Sequence, residues 1–439
     1  MSAVRERGHD PFVYLGFEVA PDGTIAGHYG LGQLTFTERW SIGHGTDLSH
    51  PATMAAISWL YLFAGVSYYK ALAPSVVDTG MIALTEAERS FLRTYYLEGL
   101  GEFAHRNGLD LSDLEVRGPL LEHRQPVHPP AALFGPLIPF GGGIDSIVTV
   151  EQVRAAQVAG RLFVASPPGQ LFEAIEAPAM VTGFDLIRAT RELDPSIRRS
   201  AAEGYFNGHV PVTAVISALA VVAAVALGHE AVLMSNEHSA SDPNLIEDGR
   251  AINHQWSKSL AFEEGFAQIL DETFDGRLDY CSVLRARTEL WVAERFARYD
   301  RYHHVFRSCN KAFTQDPATR AATWCGRCDK CCFIDLILAP FVDRATLVAI
   351  FSGTEPLEQP DLRSVFEDLV GIGTTKPFEC VGDVGECRAA LALAAARPDR
   401  ASNATLAQLA NAAPFNGDPL ALLEPQGIDH VDPRFVHGG

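Results

Sequence analysis

The segment Leu137-Ile-Pro-Phe-Gly141-Gly142-Gly143-Ile144-Asp145-Ser146 constrains the chain more than any other, because an apolar strand runs through three glycines into a helix. Successive glycines let the backbone approach phosphate oxygens without Cβ clashes and turn its N–H groups inward. The helix read from Ser146 to Ala159 aims the positive end of its dipole at the same point. Asp145 is then placed to hold a Mg²⁺ that bridges phosphates, and the Ser146 hydroxyl adds a donor. A plain glycine-rich turn is the alternative, and the Asp-Ser pair at the helix start favours phosphate over it. No Walker lysine follows, so this is not the common P-loop.

Around the loop the pattern alternates. Leu162–Ala165 reads as a strand, Pro211–Leu227 as a long apolar helix and Ala231–Ser235 as a strand, which predicts a parallel sheet with helices on both faces. Residues 12–42 read as strands turning at Pro21-Asp-Gly23, and helices are expected over Pro51–Ala64 and from Thr85 to Gly108. Thr85-x-x-Glu88 is a capping box that places Phe91, Leu92, Tyr95, Leu100 and Phe103 on one helix face. A proline-rich stretch from Gln125 to Pro139 suggests a boundary. The expected organisation is α/β: an N-terminal α+β domain over 1–125, a nucleotide-binding domain over 126–345, and a helical region with a tail over 346–439.

Val210–Leu227 is apolar enough to raise the question of a membrane span, but Thr213 and Ser217 interrupt it and no Lys or Arg flanks it closely, so a buried helix is expected. The formal charge of -19 argues against a nucleic-acid partner. The first residues, Met1 to Pro11, carry charge without an apolar core and do not read as a secretory signal, so a cytoplasmic location is expected. Five of the eight cysteines fall between Cys309 and Cys332. Cys309, Cys325, Cys328 and Cys331 have the spacing of a zinc site, with Gly326 giving the turn; buried free thiols or a catalytic thiol pair are the alternatives. Cys281, Cys380 and Cys387 carry no signal on their own. Nothing in the sequence fixes an oligomeric state.

The glycine loop resembles the PP-loop of ATP pyrophosphatases, usually Ser-Gly-Gly-x-Asp-Ser, with Gly142, Gly143, Asp145 and Ser146 matching and Gly141 replacing the serine. That resemblance implies cleavage of ATP between the α and β phosphates, with Leu162–Ser166 beside the adenine. A cysteine set like this one occurs in 7-cyano-7-deazaguanine synthases, which implies a structural metal. Further strings narrow the class: Gly65-Val-Ser-Tyr-Tyr-Lys70, Gly101-Glu-Phe-Ala-His-Arg-Asn-Gly108, Asn207-Gly-His-Val-Pro-Val-Thr213, Ser235-Asn-Glu-His-Ser239, Asn253-His-Gln-Trp-Ser-Lys258 and Lys376-Pro-Phe-Glu-Cys380. Together they resemble the UDP-N-acetylmuramoyl-L-alanyl-L-glutamate epimerases, the MurL family, from about residue 55 to about residue 395. His238 stands where that pattern has arginine. The resemblance implies inversion of the terminal L-glutamate of a UDP-muramyl dipeptide with ATP and Mg²⁺, through an acyl-adenylate that acidifies the neighbouring Cα–H.

His254 and Lys258, four apart and expected on one helix face, are the candidate proton-transfer groups. Asn236 and Glu237 follow a strand and are expected at the carboxyl edge of the sheet. The arginines from Arg285 to Arg307 read either as a solvated face paired with Glu289 and Glu294, or as a groove for an anionic substrate in which Arg298 and Arg301 bind. The rival functions are another PP-loop ligase or synthetase related to 7-cyano-7-deazaguanine synthase, a tRNA-thiolating enzyme, and a zinc-stapled nucleotide sensor without turnover.

Overall fold

The computed structural model describes residues 6–43, 46–247, 249–314, 316–373 and 377–436. Met1–Arg5, from the charged N-terminus, and Lys376, from one of the strings above, lie outside the described residues. Twelve strands occur along the described chain: β1 Phe12–Val19, β2 Ile25–Leu31, β3 Leu34–Ser41, β4 Val76–Asp78, β5 Glu115–Arg117, β6 Leu137–Pro139, β7 Arg161–Ser166, β8 Leu186–Glu192, β9 Ala231–Met234, β10 Leu245–Glu247, β11 Arg250–Ile252 and β12 Asp279–Ser282. β10 and β11 form a separate hairpin, and the other ten make one sheet in the order β12-β9-β6-β7-β8-β3-β2-β1-β4-β5.

From β12 to β8 the neighbours are parallel, as strand–helix alternation requires. β1, β2 and β3 form an antiparallel meander that joins β8 through β3, where Trp40 lies opposite Arg191. The strands of the first 125 residues therefore extend the same sheet rather than closing one of their own. The proline-rich stretch separates stretches of sequence and not sheets.

Both faces are buried, and the pleat divides them. Along β7, Leu162 and Val164 enter one core while Phe163 enters the other; along β9, Ala231 and Leu233 alternate in the same way with Val232 and Met234. Helices Pro51–Ala64, Glu86–Gly99, Val212–Leu227 and Leu260–Phe274 cover the face that Phe163 enters, and Ile144–Ala155, Glu289–Ala297, Asp329–Leu338 and Val384–Ala395 the face that Leu162 enters. Strands covered on both sides read as continuous apolar runs. Val212–Leu227 is the buried helix expected from its composition, packed against Pro51–Ala64. Among the described residues, no helix is long and apolar enough to cross a membrane.

Two expectations change. The helix opened by the Thr85–Glu88 capping box does not run unbroken to Gly108. It stops at Gly99, and a second helix spans Gly101–Asn107, with Leu100 at φ -101. A Cβ on Gly99 would lie 2.8 Å from Pro211 Cγ, so the chain passes too closely there for a larger residue. The break re-aims Glu102. His254 and Lys258 do not share an α-helix either: only Trp256–Lys258 forms a short 3₁₀ turn. The Asn253 side chain accepts from Gln255 N at 2.7 Å and holds a local turn there, and Ser259 caps the helix that begins at Leu260.

Arg285, buried with Glu263, ties these parts together. Its guanidinium pairs with Glu263 at 2.7 Å and donates to Glu237 O at 2.8 Å and Lys258 O at 2.7 Å. Arg285→Ala strands a buried carboxylate and two carbonyls, and is expected to lower the unfolding free energy by about 3–5 kcal/mol. Arg298→Ala removes an exposed pair with Glu294 and is expected to cost about 0.5 kcal/mol or less. Urea unfolding of both variants checks the contrast.

Candidate active site

From β6 the chain moves outward to β7 and β8, then returns to place β9 and β12 on the other side of β6. The carboxyl ends of strands at such a reversal form a crevice in which open parallel sheets bind ligands. A cavity of about 430 Å³ opens there. Its wall takes Pro139 to Gly141, Gly143, Asp145 and Ser146 from the glycine loop, Phe163–Ala165 from β7, Met234–Asn236 after β9, and Lys258, Arg307, Ser308, Asn310, Lys330, Glu379 and Cys380 from later segments. That volume suits a small-molecule ligand.

The glycine loop is built as its sequence requires. Gly142 has φ +75, and a Cβ there would stand 2.2 Å from Ala174 O. A Cβ on Gly143 would meet Ser308 Oγ at 2.9 Å, whereas Gly141 faces open space. The helix begins at Ile144, two residues earlier than read, so Asp145 lies in its first turn; Gly143 caps it with no side-chain bond, leaving first-turn N–H groups without a side-chain acceptor. The Ser146 hydroxyl donates to Gly143 O at 3.1 Å.

Asp145, Glu237 and Glu289 bring carboxylate oxygens within 4.8 Å of one another. Asp145 Oδ1 and Glu289 Oε2 are buried without a hydrogen-bond partner. Burial, and then the charge of Glu237, push both carboxyls above their ordinary range. Hard oxygens gathered this way could hold a divalent cation. Asn236 and Glu237 are fixed from behind: the Ser282 hydroxyl donates to Asn236 O at 2.7 Å while accepting from Asn236 N at 2.6 Å.

A second polar set meets the first at Lys258. Lys258 Nζ lies 3.4 Å from Cys380 Sγ, and Lys330 Nζ donates to Cys380 O. The His254 ring is within hydrogen-bond reach of the same thiol. Its Nδ1 pairs with Glu102 Oε2, whose other oxygen accepts from Arg106 Nε at 2.5 Å. The His209 ring lies against that of His254, tilted by 40° with 4.0 Å between centroids. Burial opposes charge on the Cys380 thiol, but Lys258 and His254 outweigh it and bring it down to about 6. Burial likewise opposes a charged His254, but Cys380 and Glu102 raise it to about 9. Burial and the His254 charge lower His209 to about 4. At neutral pH the set reads as a thiolate beside an imidazolium and an ammonium, with His209 neutral.

His254 and Lys258 thus reach one site by a turn, not by a helix face. Lys258 is in the cavity wall, and His254 stands behind Cys380. Ser166 lies at the end of β7, its hydroxyl donating to Gln170 O at 3.0 Å, next to the wall residue Ala165. Arg298 pairs with Glu294, and Arg301 pairs with Glu151 at 2.5 Å; neither lines the cavity, whereas Arg307 does. Glu294 takes the pairing expected of a solvated helix face, while Glu289 turns inward to Asp145.

Sequence reasoning missed Glu102, His209, Glu289, Lys330 and Cys380. Three of these sit inside strings already singled out, Gly101–Gly108, Asn207–Thr213 and Lys376–Cys380, and their clustering was the available signal. Glu289 and Lys330 gave none.

Cys309, Cys325, Cys328 and Cys331 bring their sulfurs within 4.8 Å of one another. Cys331 lies 3.4 Å from Cys328 and 3.6 Å from Cys325. Four sulfurs about 2.3 Å from a tetrahedral zinc would stand about 3.8 Å apart, so the set fits such an ion. The cluster lies where the loop carrying Arg307, Ser308 and Asn310 meets the helix that starts at Asp329, beside the cavity.

The glycine loop makes a paired forecast. Gly142→Ala is expected to destabilise the fold by about 1–3 kcal/mol, through strain at positive φ and the clash with Ala174 O. Gly141→Ser, facing open space, is expected to stay within about 0.5 kcal/mol of the parent. Thermal and urea unfolding of the two variants decide.

Comparison with known proteins places the chain in a family. Residues 4–283 match the MurL N-terminal domain, and residues 305–421 match the MurL C-terminal domain. A UDP-N-acetyl-alpha-D-muramoyl-L-alanyl-L-glutamate epimerase of Xanthomonas oryzae pv. oryzae is 38% identical over 349 residues, covering 79% of this chain and 76% of the relative. Proteins of the same name from a Micromonospora species and from Salinispora tropica are 35% identical over 422 residues and 39% identical over 341 residues. These alignments cover 92% of this chain and 91% of the relative, and 76% and 72%, respectively. With both segments matched and relatives aligned over most of their length, the chain belongs to the MurL family and is an enzyme of the isomerase class.

Proposed function

We propose that the protein is an ATP-dependent epimerase that inverts the terminal L-glutamate of UDP-N-acetylmuramoyl-L-alanyl-L-glutamate in the cytoplasm, a step in peptidoglycan precursor synthesis. The names of the relatives support the substrate. One observation carries the ATP requirement: a phosphate-type loop and a proton-handling set open into the same cavity.

The chemistry explains why both are needed. Removing the α-proton beside a carboxylate would place a second negative charge next to the first. Joining the carboxylate to the α-phosphate of ATP, with release of pyrophosphate, leaves a neutral acyl group. The electron pair from Cα–H can then spread into its carbonyl. Return of a proton to the opposite face inverts the centre, and water releases AMP.

In this reading the loop is of the PP type, and Gly141, Gly142, Gly143 and Ser146 cradle the phosphates with the helix dipole behind them, while Ser166 and its strand flank the adenine. Asp145, with Glu237 and Glu289, would hold Mg²⁺, which when bound offsets phosphate charge. Lys258 and Lys330 place ammonium groups where negative charge develops, and Asn236 offers an amide to the substrate. Arg307 in the wall, and Arg298 and Arg301 in the same segment but outside it, are the cations proposed for the substrate's anionic end.

Pyrophosphate release is expected to depend on the UDP-linked dipeptide, and chiral analysis of the hydrolysed product is expected to show D-glutamate. Asp145→Asn should slow release by about a hundredfold or more, the scale of losing one preorganised electrostatic contact. No nucleotide breakdown with that dipeptide, or normal turnover by Asp145→Asn, would refute the reading.

The four-cysteine set is proposed to hold structural Zn²⁺. Elemental analysis should find about one zinc per chain, and Cys309→Ser should lose the metal and lower the melting temperature. Metal-free protein with parental stability would show instead that the thiols are merely packed.

A further inference from the structure

Of the groups expected to move the α-proton, His254 does not reach the cavity wall; Cys380 stands in front of it. Cys380 is a free cysteine, far in sequence from the Cys309–Cys331 set and outside it, so neither a disulfide nor that metal site explains it. It comes from a segment that the Pro-Phe-Glu-Cys380 string brings over the mouth of the sheet. There its sulfur meets the Lys258 ammonium at 3.4 Å and the His254 ring, while its carbonyl takes the Lys330 ammonium. Two lysines and a histidine converge on one small residue at a cavity wall. Negative charge on that residue, added to that of the carboxylates beyond the lysines, offsets the repulsion among these cations.

We infer that the thiolate of Cys380, held between Lys258 and His254, is the group that takes the α-proton of the substrate, and that His254 and Glu102 position it. The inference rests on the epimerase reading above. Sulfur forms a bond to the proton as the Cα–H bond breaks, and the electron pair passes into the acyl carbonyl. The proton added on the opposite face comes from an ammonium or water in the cavity, and both groups return to their starting state by exchange with solvent. Glu102 fixes the His254 ring through Nδ1, so the ring presents its other edge to the thiol. The charged and titratable groups around the sulfur are Lys258 and His254, Lys330 at the Cys380 carbonyl, Glu102 and His209 behind His254, Asp145 and Glu237 beyond Lys258, and Glu379 next to it in the chain. The three nearest are cations.

The test runs the full-length protein in D₂O with ATP, Mg²⁺ and the UDP-linked dipeptide. Deuterium at the glutamate α-carbon is read by mass spectrometry, and pyrophosphate is read in parallel. Cys380→Ser is expected to lose α-deuteration by at least about a hundredfold, the contribution of a positioned base. Deuteration in that variant is expressed per pyrophosphate released, so that any change in adenylation is divided out. Deuteration by Cys380→Ser within tenfold of the parent overturns the assignment. Absence of pyrophosphate from the parent protein would instead overturn the adenylation reading and leave the thiol claim to a second measurement.

That measurement needs no folded variant. Iodoacetamide labelling of the parent protein, mapped by peptide mass, should modify Cys380 at a rate that rises through about pH 6, well below the value near 8.5 of an ordinary thiol. His254→Gln and Glu102→Gln should each move that profile upward, which a purely structural role would not. Labelling of Cys380 with an ordinary thiol profile in the parent would overturn the inference.

Discussion

Arg285 and Glu263 form an ion pair with almost no exposure, and the geometry of the active centre depends on it. Paired charges at such depth give little net stability compared with apolar residues of equal volume, because desolvation offsets their attraction. What this pair does is fix direction. One guanidinium reaches the carboxylate of the Leu260–Phe274 helix, the carbonyl of Glu237 and the carbonyl of Lys258. The loop after β9 and the short turn before the helix are thereby set against each other. Glu237 then faces Asp145 while Lys258 spans the distance to Cys380.

The electrostatics of the cavity follow from that arrangement. Three carboxylates gather on one side, with two buried oxygens left unpaired. Two ammonium groups and an imidazolium stand on the other around Cys380. Lys258 belongs to both sets, since its charge is sustained by Cys380 first and then by Glu237 and Asp145. A site preorganised in this way stabilises charge that moves during a reaction without reorienting solvent.

How much of this was legible in the sequence depended on how local each feature is. The glycine loop, the capping box at Thr85, the buried Val212–Leu227 helix and the parallel strands all follow from spacing within a few residues, and each stands where its pattern put it. The loop's helix began two residues early, a shift within the ordinary uncertainty of helix ends. His254 and Lys258 come to one region by a turn that the Asn253 and Ser259 side chains hold, where period alone suggested a helix. The close approach of Gly99 to Pro211, more than a hundred residues on, lies at the helix break, and no local pattern records it. Cys380, Lys330 and Glu289 were illegible for the same reason: their chemistry exists only where the chain returns to the mouth of the sheet.

The division of the molecule into two cores by a single sheet has a further consequence. Glu102 and His254 are carried by elements packed on one face, and Lys330 and Glu289 by helices packed on the other. Either layer alone would hold part of the machinery and none of the chemistry. The polypeptide thus works as its own safety catch: a nascent or half-unfolded molecule has no assembled site, because its parts meet only after both sides of the sheet have been covered.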